Sequence, residues 1–267
     1  QGADRQMTEI VTIGDCTLYH ADALAVLPTL PSGSVDAVVT DPPYSGLVGG
    51  HKRDFSGGVG RRRTSTESVG MPWGEATDWI IEARRVASFG AVVFCTFHSA
   101  CDVVHKFDGA RPAALATWYK RNSPPTGKNL PRYTNEHIWL LSWASGMRWD
   151  SLETTVFDIP LPQAGCMATE RITEDGGRAV HPAQKPVELM EILVGCVPMS
   201  AIDPYMGTGT TGVACVRLGR KFIGVEIERK YFDTACRRIE AAYADRSSPL
   251  FGEVAPVPVQ QLLPISP

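Results

Sequence analysis

The sequence predicts an α/β fold of the doubly wound kind, a mainly parallel sheet with helices on both faces. Short runs rich in Val, Ile, Ala and aromatics show little alternation, as strands buried on both faces do. Segments with apolar residues at helical spacing lie between those runs. The two kinds of segment alternate along the chain, which is the pattern of strand–helix–strand units.

Taken in order, Thr17–His20 reads as a short strand and Asp22–Leu27 as a helix. The strand Ser34–Thr40 must stop at Asp41, because Pro42 and Pro43 cannot continue a ladder. In EATDWIIEARRVAS, Trp79, Ile80, Ala83, Val86 and Ala87 share one helical face. Strands follow at Gly90–Phe97, Ala114–Lys120 and Glu136–Ser142, with Trp118 and Trp139 reading as core. Pro186 opens the helix PVELMEILVGCV, whose apolar stripe is Leu189, Met190, Leu193 and Val194. Ser200–Asp203 and Lys221–Glu226 are the last strands, and Tyr231, Ala235, Ile239 and Ala242 mark a final helix. Gly46–Gly70 has no apolar period and reads as a mobile loop. Asp150–Arg178 is irregular and reads as a small subdomain or a functional excursion. The tail 247–267, rich in Pro, Val and Gln, reads as extended or disordered.

The 267 residues, 43% of them hydrophobic, suffice for one large α/β domain, and 1–267 is read as a single domain. The first six residues, QGADRQ, precede Met7 and are left out of the fold reading. No basic-then-apolar leader opens the sequence, and no uninterrupted apolar run reaches membrane length, so no membrane partner is expected. Seven cysteines without a C-x-x-C pair argue against a zinc site and a disulfide framework, and for a reducing cytoplasm. The net charge of −3 is unlike that of a sequence-independent DNA binder. Yet Lys52, Arg53, Arg61, Arg62 and Arg63 stand against one acid, Asp54, between Gly46 and Arg63, so a polyanion can be met locally.

After the strand SAID comes DPYMGTGTTGVACVRLG, in which Gly207, Gly209 and Gly212 satisfy G-x-G-x-x-G. Glu226 follows 19 residues beyond Gly207, matching the acid that grips a ribose in dinucleotide sites. Asp203 argues against a pyrophosphate there, since a carboxylate four residues before the first glycine would repel it. It suits a ligand carrying a positive amino group. Too little chain follows Glu226 to complete a dinucleotide half, unless the N-terminal strands continue the sheet in space. Asp22 and Asp41 would then become the third and fourth acids at strand tips. S-adenosylmethionine has a ribose, an adenine amine and a cationic amino acid, and no phosphate.

With both motifs in hand, the chain resembles the permuted, β-group, exocyclic-amino DNA methyltransferases, in which the catalytic motif precedes the cofactor loop. DPPY stands at Asp41–Tyr44 and DPYMGTGTT at Asp203–Thr211, 162 residues later. HPAQKPVELMEILV, His181–Val194, resembles the family's cofactor-contacting segment, and ATWYKRN and YTNEHIWLL resemble its later strands. The likeness runs roughly from Gly14 to Ala244. Tyr205 stands where many relatives have Phe, which keeps an aromatic.

The resemblance implies a Rossmann-like, circularly permuted, seven-stranded methyltransferase sheet with a small target-recognition insertion near 144–178. It implies S-adenosylmethionine bound by Asp22, Asp41, His181, Gln184, Lys185, Asp203, Tyr205, Gly207, Gly209, Thr210, Thr211 and Glu226. Catalysis falls to Asp41, Pro42, Pro43 and Tyr44. Double-stranded DNA is the implied partner and the nucleoid the place of action. Members often dimerise, which adds a homodimer.

An adenine N6 amine is a poor nucleophile because its lone pair is delocalised into the ring. Accepting hydrogen bonds from both its N–H groups frees the lone pair, and the Asp41 carboxylate and Pro42 carbonyl supply two acceptors. Proline holds that carbonyl in place and brings no competing donor. The base must leave the duplex, with Tyr44 as its stacking partner. No cysteine follows a proline, so the Pro-Cys nucleophile of cytosine C5 enzymes is missing.

Arg61, Arg62 and Arg63, with Lys52 and Arg53, read as phosphate contacts or as a solvated loop. Lys120, Arg121, Lys128 and Arg132 form a second basic cluster, again solvated or DNA-facing. Lys185 reads as a cofactor neighbour or as a surface charge at a helix start. Cytosine N4 is an alternative target, since the acceptor geometry fits any exocyclic amine, but Asp rather than Ser before the prolines favours adenine. RNA bases or a protein glutamine amide are more distant, as are a catalytically silent nucleic-acid module and an NAD-dependent oxidoreductase.

Overall fold

The computed structural model describes residues 8–43, 78–95, 100–123, 132, 134–162, 172–173, 180 and 183–246. Among these residues nine strands form one sheet: β1 (Glu9–Ile13), β2 (Cys16–His20), β3 (Val35–Thr40), β4 (Ala87–Cys95), β5 (Arg111–Tyr119), β6 (Asn135–Ser142), β7 (Val156–Asp158), β8 (Ser200–Asp203) and β9 (Lys221–Glu226). Their spatial order is β1-β2-β9-β8-β3-β4-β6-β5-β7. The expected seven strands are therefore present and extended by one short strand at each edge. β1 pairs antiparallel with β2, and β7 pairs parallel with β5. β6 runs antiparallel to both β4 and β5, while the block β2-β9-β8-β3-β4 is parallel throughout.

The permutation is visible in that block. The late strand β9 lies between β8 and the early strand β2, and β3 joins β8 on its other side. The N-terminal strands thus complete a sheet that the C-terminal ones begin.

Helices α1 (Ala23–Val26), α2 (Asp78–Val86) and α3 (Ala100–Lys106) pack on one face. Trp79, Ile80, Ala83 and Val86 of α2 are buried there against Val38, Val93 and Ile202, the face their spacing predicts. Helices α4 (Val187–Gly195), α5 (Thr210–Arg217) and α6 (Arg229–Arg246) cover the other face. Leu189, Met190, Leu193 and Val194 of α4 meet the buried face of α5 there. Two apolar clusters, one per face, sandwich the sheet. That is the layering of a doubly wound domain.

α2 begins and ends inside the expected EATDWIIEARRVAS segment, because Ala87 already belongs to β4. Among the described residues no helix is long and apolar enough to cross a membrane. The expected loop 46–70, the tail 247–267, and residues 163–171 and 174–178 of the expected recognition region lie outside the described residues.

Candidate active site

The parallel block sets four acids in a row. β2, β9, β8 and β3 are neighbours in that order, and just beyond or at their C-terminal ends stand Asp22, Glu226, Asp203 and Asp41. Ligands of open α/β sheets bind outside the carboxyl ends of the strands. A cleft of about 680 Å³ opens there, lined by Asp22, Asp41, Pro42, Pro43, Gln184, Lys185, Asp203, Tyr205, Gly207, Thr210, Thr211 and Glu226 among others. The expected site residues therefore converge. Gly209 does not line the cleft, and Tyr44, Lys52, Arg53, Arg61, Arg62, Arg63 and His181 lie outside the described residues.

Asp203 organises the loop after β8. Its Oδ1 accepts from Thr40 Oγ1 at 2.8 Å and from the Tyr205 backbone N–H at 3.1 Å, and its Oδ2 accepts from Thr211 Oγ1 at 2.6 Å. Thr40 belongs to β3, so this carboxylate ties the glycine loop to the strand that carries Asp41. Burial pushes Asp203 up to about 6, against the hydrogen bonds from Thr211, Thr40 and Tyr205, which favour its charged form. Glu226 holds the loop from the other side. Its Oε2 accepts from Gly207 N–H at 2.9 Å and its Oε1 from Glu228 N–H at 2.8 Å, and burial raises its pKa. Asp22 caps α1, accepting from Leu24 N–H at 2.9 Å.

The glycines divide the work. Gly207 and Gly209 both take positive φ, 52° and 78°. A Cβ on Gly209 would come within 2.8 Å of the Ala235 Cβ, so this glycine lets the loop press on α6. Arg238 of α6 braces the same turn, donating to the Thr208 carbonyl at 2.7 Å and to Thr210 Oγ1 at 3.0 Å. Tyr205 meets Trp79 of α2 edge-on, with ring centroids 5.6 Å apart.

Lys185 lines the cleft, and its burial rules out the surface-charge reading. Its ammonium donates to Asp41 Oδ2. It also lies 3.4 Å from Glu136 Oε2 and 4.9 Å from the Phe94 ring centroid. Burial opposes its charge, but Asp41 and Glu136 outweigh that and push its pKa up to about 12. Lys120 likewise corrects its expected place in a solvated or DNA-facing cluster. It is buried, and its Nζ donates to Glu136 Oε1 at 2.8 Å. Of that cluster, Arg121 lies 3.5 Å from Asp158, Arg132 is exposed, and Lys128 is outside the described residues. Gln184 is buried and accepts the Ile172 N–H at 3.1 Å.

Sequence reasoning missed Thr40, Glu136 and Arg238 as members of the site. Glu136 had a signal: strand alternation puts it on the same face as Ile138 and Leu140, where an acid needs a buried partner. Arg238 had none, since nothing local marks a helical arginine that reaches a distant loop.

Among the described residues the cleft lining contains five carboxylates, Asp22, Asp41, Asp203, Glu226 and Glu228, and one cation, Lys185, which is bound to Asp41. Such a lining repels a pyrophosphate and attracts a cationic ligand. Its size and its donor and acceptor set fit a nucleoside joined to a charged amino acid.

Comparison with known proteins points the same way. Residues 148–237 match the model of a family described as DNA methylase. Type II methyltransferase M.HinfI of Haemophilus influenzae is 28% identical over 260 residues, spanning 84% of this chain and 68% of the relative. The M1.HpyAVI–SAM complex superposes with a TM-score of 0.58 at 22% identity, over 84% of this chain and 98% of the other. The cytosine-N4-specific PvuII DNA methyltransferase gives 0.63 at 17% identity, over 88% and 92%. The matched segment holds the glycine loop between β8 and α5, and the sheet order places that loop against the DPPY strand. Over that segment the chain is similar to the DNA methylases.

Proposed function

We propose that this protein transfers a methyl group from S-adenosylmethionine to the N6 amine of an adenine flipped out of double-stranded DNA. One observation carries the reading: Asp41, directly after β3, opens into the same cleft as the Asp203–Thr211 loop. S-adenosylmethionine supplies an activated methyl on a sulfonium sulfur. The carboxylates of Asp22, Asp203 and Glu226, with Gln184, Tyr205, Gly207, Thr210 and Thr211, are the groups of this chain that would hold it. Gly209 acts through the shape of the loop.

Asp41 and the Pro42 carbonyl accept the two N–H bonds of the amine. A carboxylate has about four acceptor positions, so the bond from Lys185 leaves capacity for an incoming N–H. The freed nitrogen lone pair would take the methyl that bound S-adenosylmethionine supplies, the electrons of the C–S bond staying on sulfur. The nitrogen then sheds one proton, to Asp41 or water. In-line positioning supplies most of the rate. Pro43 fixes the turn, Tyr44 stacks on the extruded base, and Lys52, Arg53 and Arg61–Arg63 contact phosphates. The homodimer and the nucleoid location rest on the family resemblance.

The test is methyl transfer from labelled cofactor to duplex DNA, followed by digestion to nucleosides. N6-methyladenine is the expected product. N4-methylcytosine as the sole product overturns the adenine assignment, and cofactor binding without transfer to any DNA replaces the enzyme reading with a silent binding module.

A further inference from the structure

Behind the catalytic turn runs a line of four buried or half-buried charges from separate elements. Asp41 follows β3, Lys185 precedes α4, Glu136 is the second residue of β6 and Lys120 follows β5. The charges alternate. Lys185 donates to Asp41 and lies 3.4 Å from Glu136 Oε2, and Lys120 donates to Glu136 Oε1 at 2.8 Å. Side-chain exposure is 8% at Lys185, 10% at Lys120 and 24% at Glu136, too little for water to screen these charges well. Two positive and two negative groups leave the line neutral.

The arrangement is more specific than a buried ion pair needs to be. Glu136 Oε2 is buried and has no hydrogen-bond partner among the described residues, so its charge is met chiefly by the nearby Lys185 ammonium. Burial pushes the Glu136 carboxyl up, yet Lys185 and Lys120 override it and hold the group below its usual range. Lys185 is therefore shared between two carboxylates. Without Glu136, its whole charge would bear on Asp41, weakening that carboxylate as an acceptor. Without Lys120, Glu136 would lose the bond that aims it.

We propose that Glu136, held by Lys120, is a positioning residue that shares the Lys185 ammonium with Asp41, keeping Asp41 both oriented and strong as an acceptor. This rests on the assignment of Asp41 to the amine. It gives strands β5 and β6 a part in the chemistry, although neither the DPPY turn nor the cofactor loop includes them.

The test compares Glu136→Gln, Lys120→Met and Lys120→Arg with the wild type in the full-length protein. Steady-state methyl transfer to duplex DNA gives kcat and KM, equilibrium dialysis gives S-adenosylmethionine affinity, and thermal unfolding checks the fold. The side-chain amine resonance of Lys185, seen by NMR in 15N-lysine-labelled protein, reports its environment without any reaction. The expected result is a kcat lower by about 10- to 100-fold in Glu136→Gln and Lys120→Met, the scale on which mispositioning acts. KM and cofactor affinity stay within about twofold, Lys120→Arg recovers most of kcat, and the Lys185 resonance moves in Glu136→Gln. Unchanged kcat in a folded Glu136→Gln, or a loss that appears only in KM or cofactor affinity, overturns the proposal. If the wild type methylates no DNA, the functional reading falls, and the Lys185 resonance still decides the sharing: movement on Glu136→Gln supports it, and no movement overturns it.

Discussion

Asp203 is a buried carboxylate doing two jobs, holding three hydrogen bonds of the loop and facing a cleft built for a cation. Because burial raises its pKa to about 6, it takes up a proton in mildly acidic solution. A cationic amino acid binds the ionised form better, so S-adenosylmethionine affinity falls as pH drops from about 7.5 to about 5.5. Dialysis across that range checks it, and Asp203→Asn gives a weaker but flatter profile. For folding, the same raised pKa has the opposite sign to a salt-bridged acid. The cost of ionised Asp203 is absent below its ordinary 3.8 and complete above about 6. At this scale the acids at the strand tips were legible, because chain order and the G-x-G-x-x-G spacing locate them. The burial of Lys120 and Lys185 was not, although Lys185 was expected beside the cleft that it lines. A lysine in a polar stretch reads as solvated, and only the approach of Asp41 and Glu136 from other strands makes its burial tolerable.

The glycine loop is an element whose shape depends on what lies behind it. Gly209 combines a φ of 78° with a Cβ position 2.8 Å from Ala235, so Gly209→Ala meets both backbone strain and a clash with α6. It costs about 1–3 kcal/mol of stability, read by denaturant unfolding, and weakens cofactor binding. Ala235→Gly in the same chain recovers the part due to the clash and leaves the part due to φ. The parallel strands β8 and β9 were legible to the residue, since they are short apolar runs bounded by turn signals. β1 escaped, although Gly14-Asp15 between EIVTI and CTLYH is a two-residue hairpin signal. Its half-buried edge position weakens the apolar pattern. β7 has three residues, too few for any periodicity, and is made by pairing with β5.

Across the whole molecule, a permuted chain closes one sheet by bringing N-terminal strands beside C-terminal ones. That long-range order was legible because the two motifs, each ambiguous alone, make sense only if β2 and β3 flank the β9-β8 pair, as they do. The net charge of −3 leaves DNA attraction to local basic segments. Replacing Arg61, Arg62 and Arg63 by alanine should weaken DNA binding in every sequence context and reduce its salt dependence by up to about three phosphate contacts, with cofactor affinity unchanged. Fluorescence titration at several salt concentrations reads that slope. The central claim is that the DPPY turn and the acidic cleft form one methyl-transfer site, and the most direct test pairs two readings on Asp41→Ala and wild type. Labelled methyl transfer to duplex DNA and S-adenosylmethionine affinity are measured on the same preparations. The variant is expected to bind cofactor within a few-fold of wild type and to lose transfer by about 100-fold or more. Transfer retained in Asp41→Ala, with cofactor bound, would contradict it.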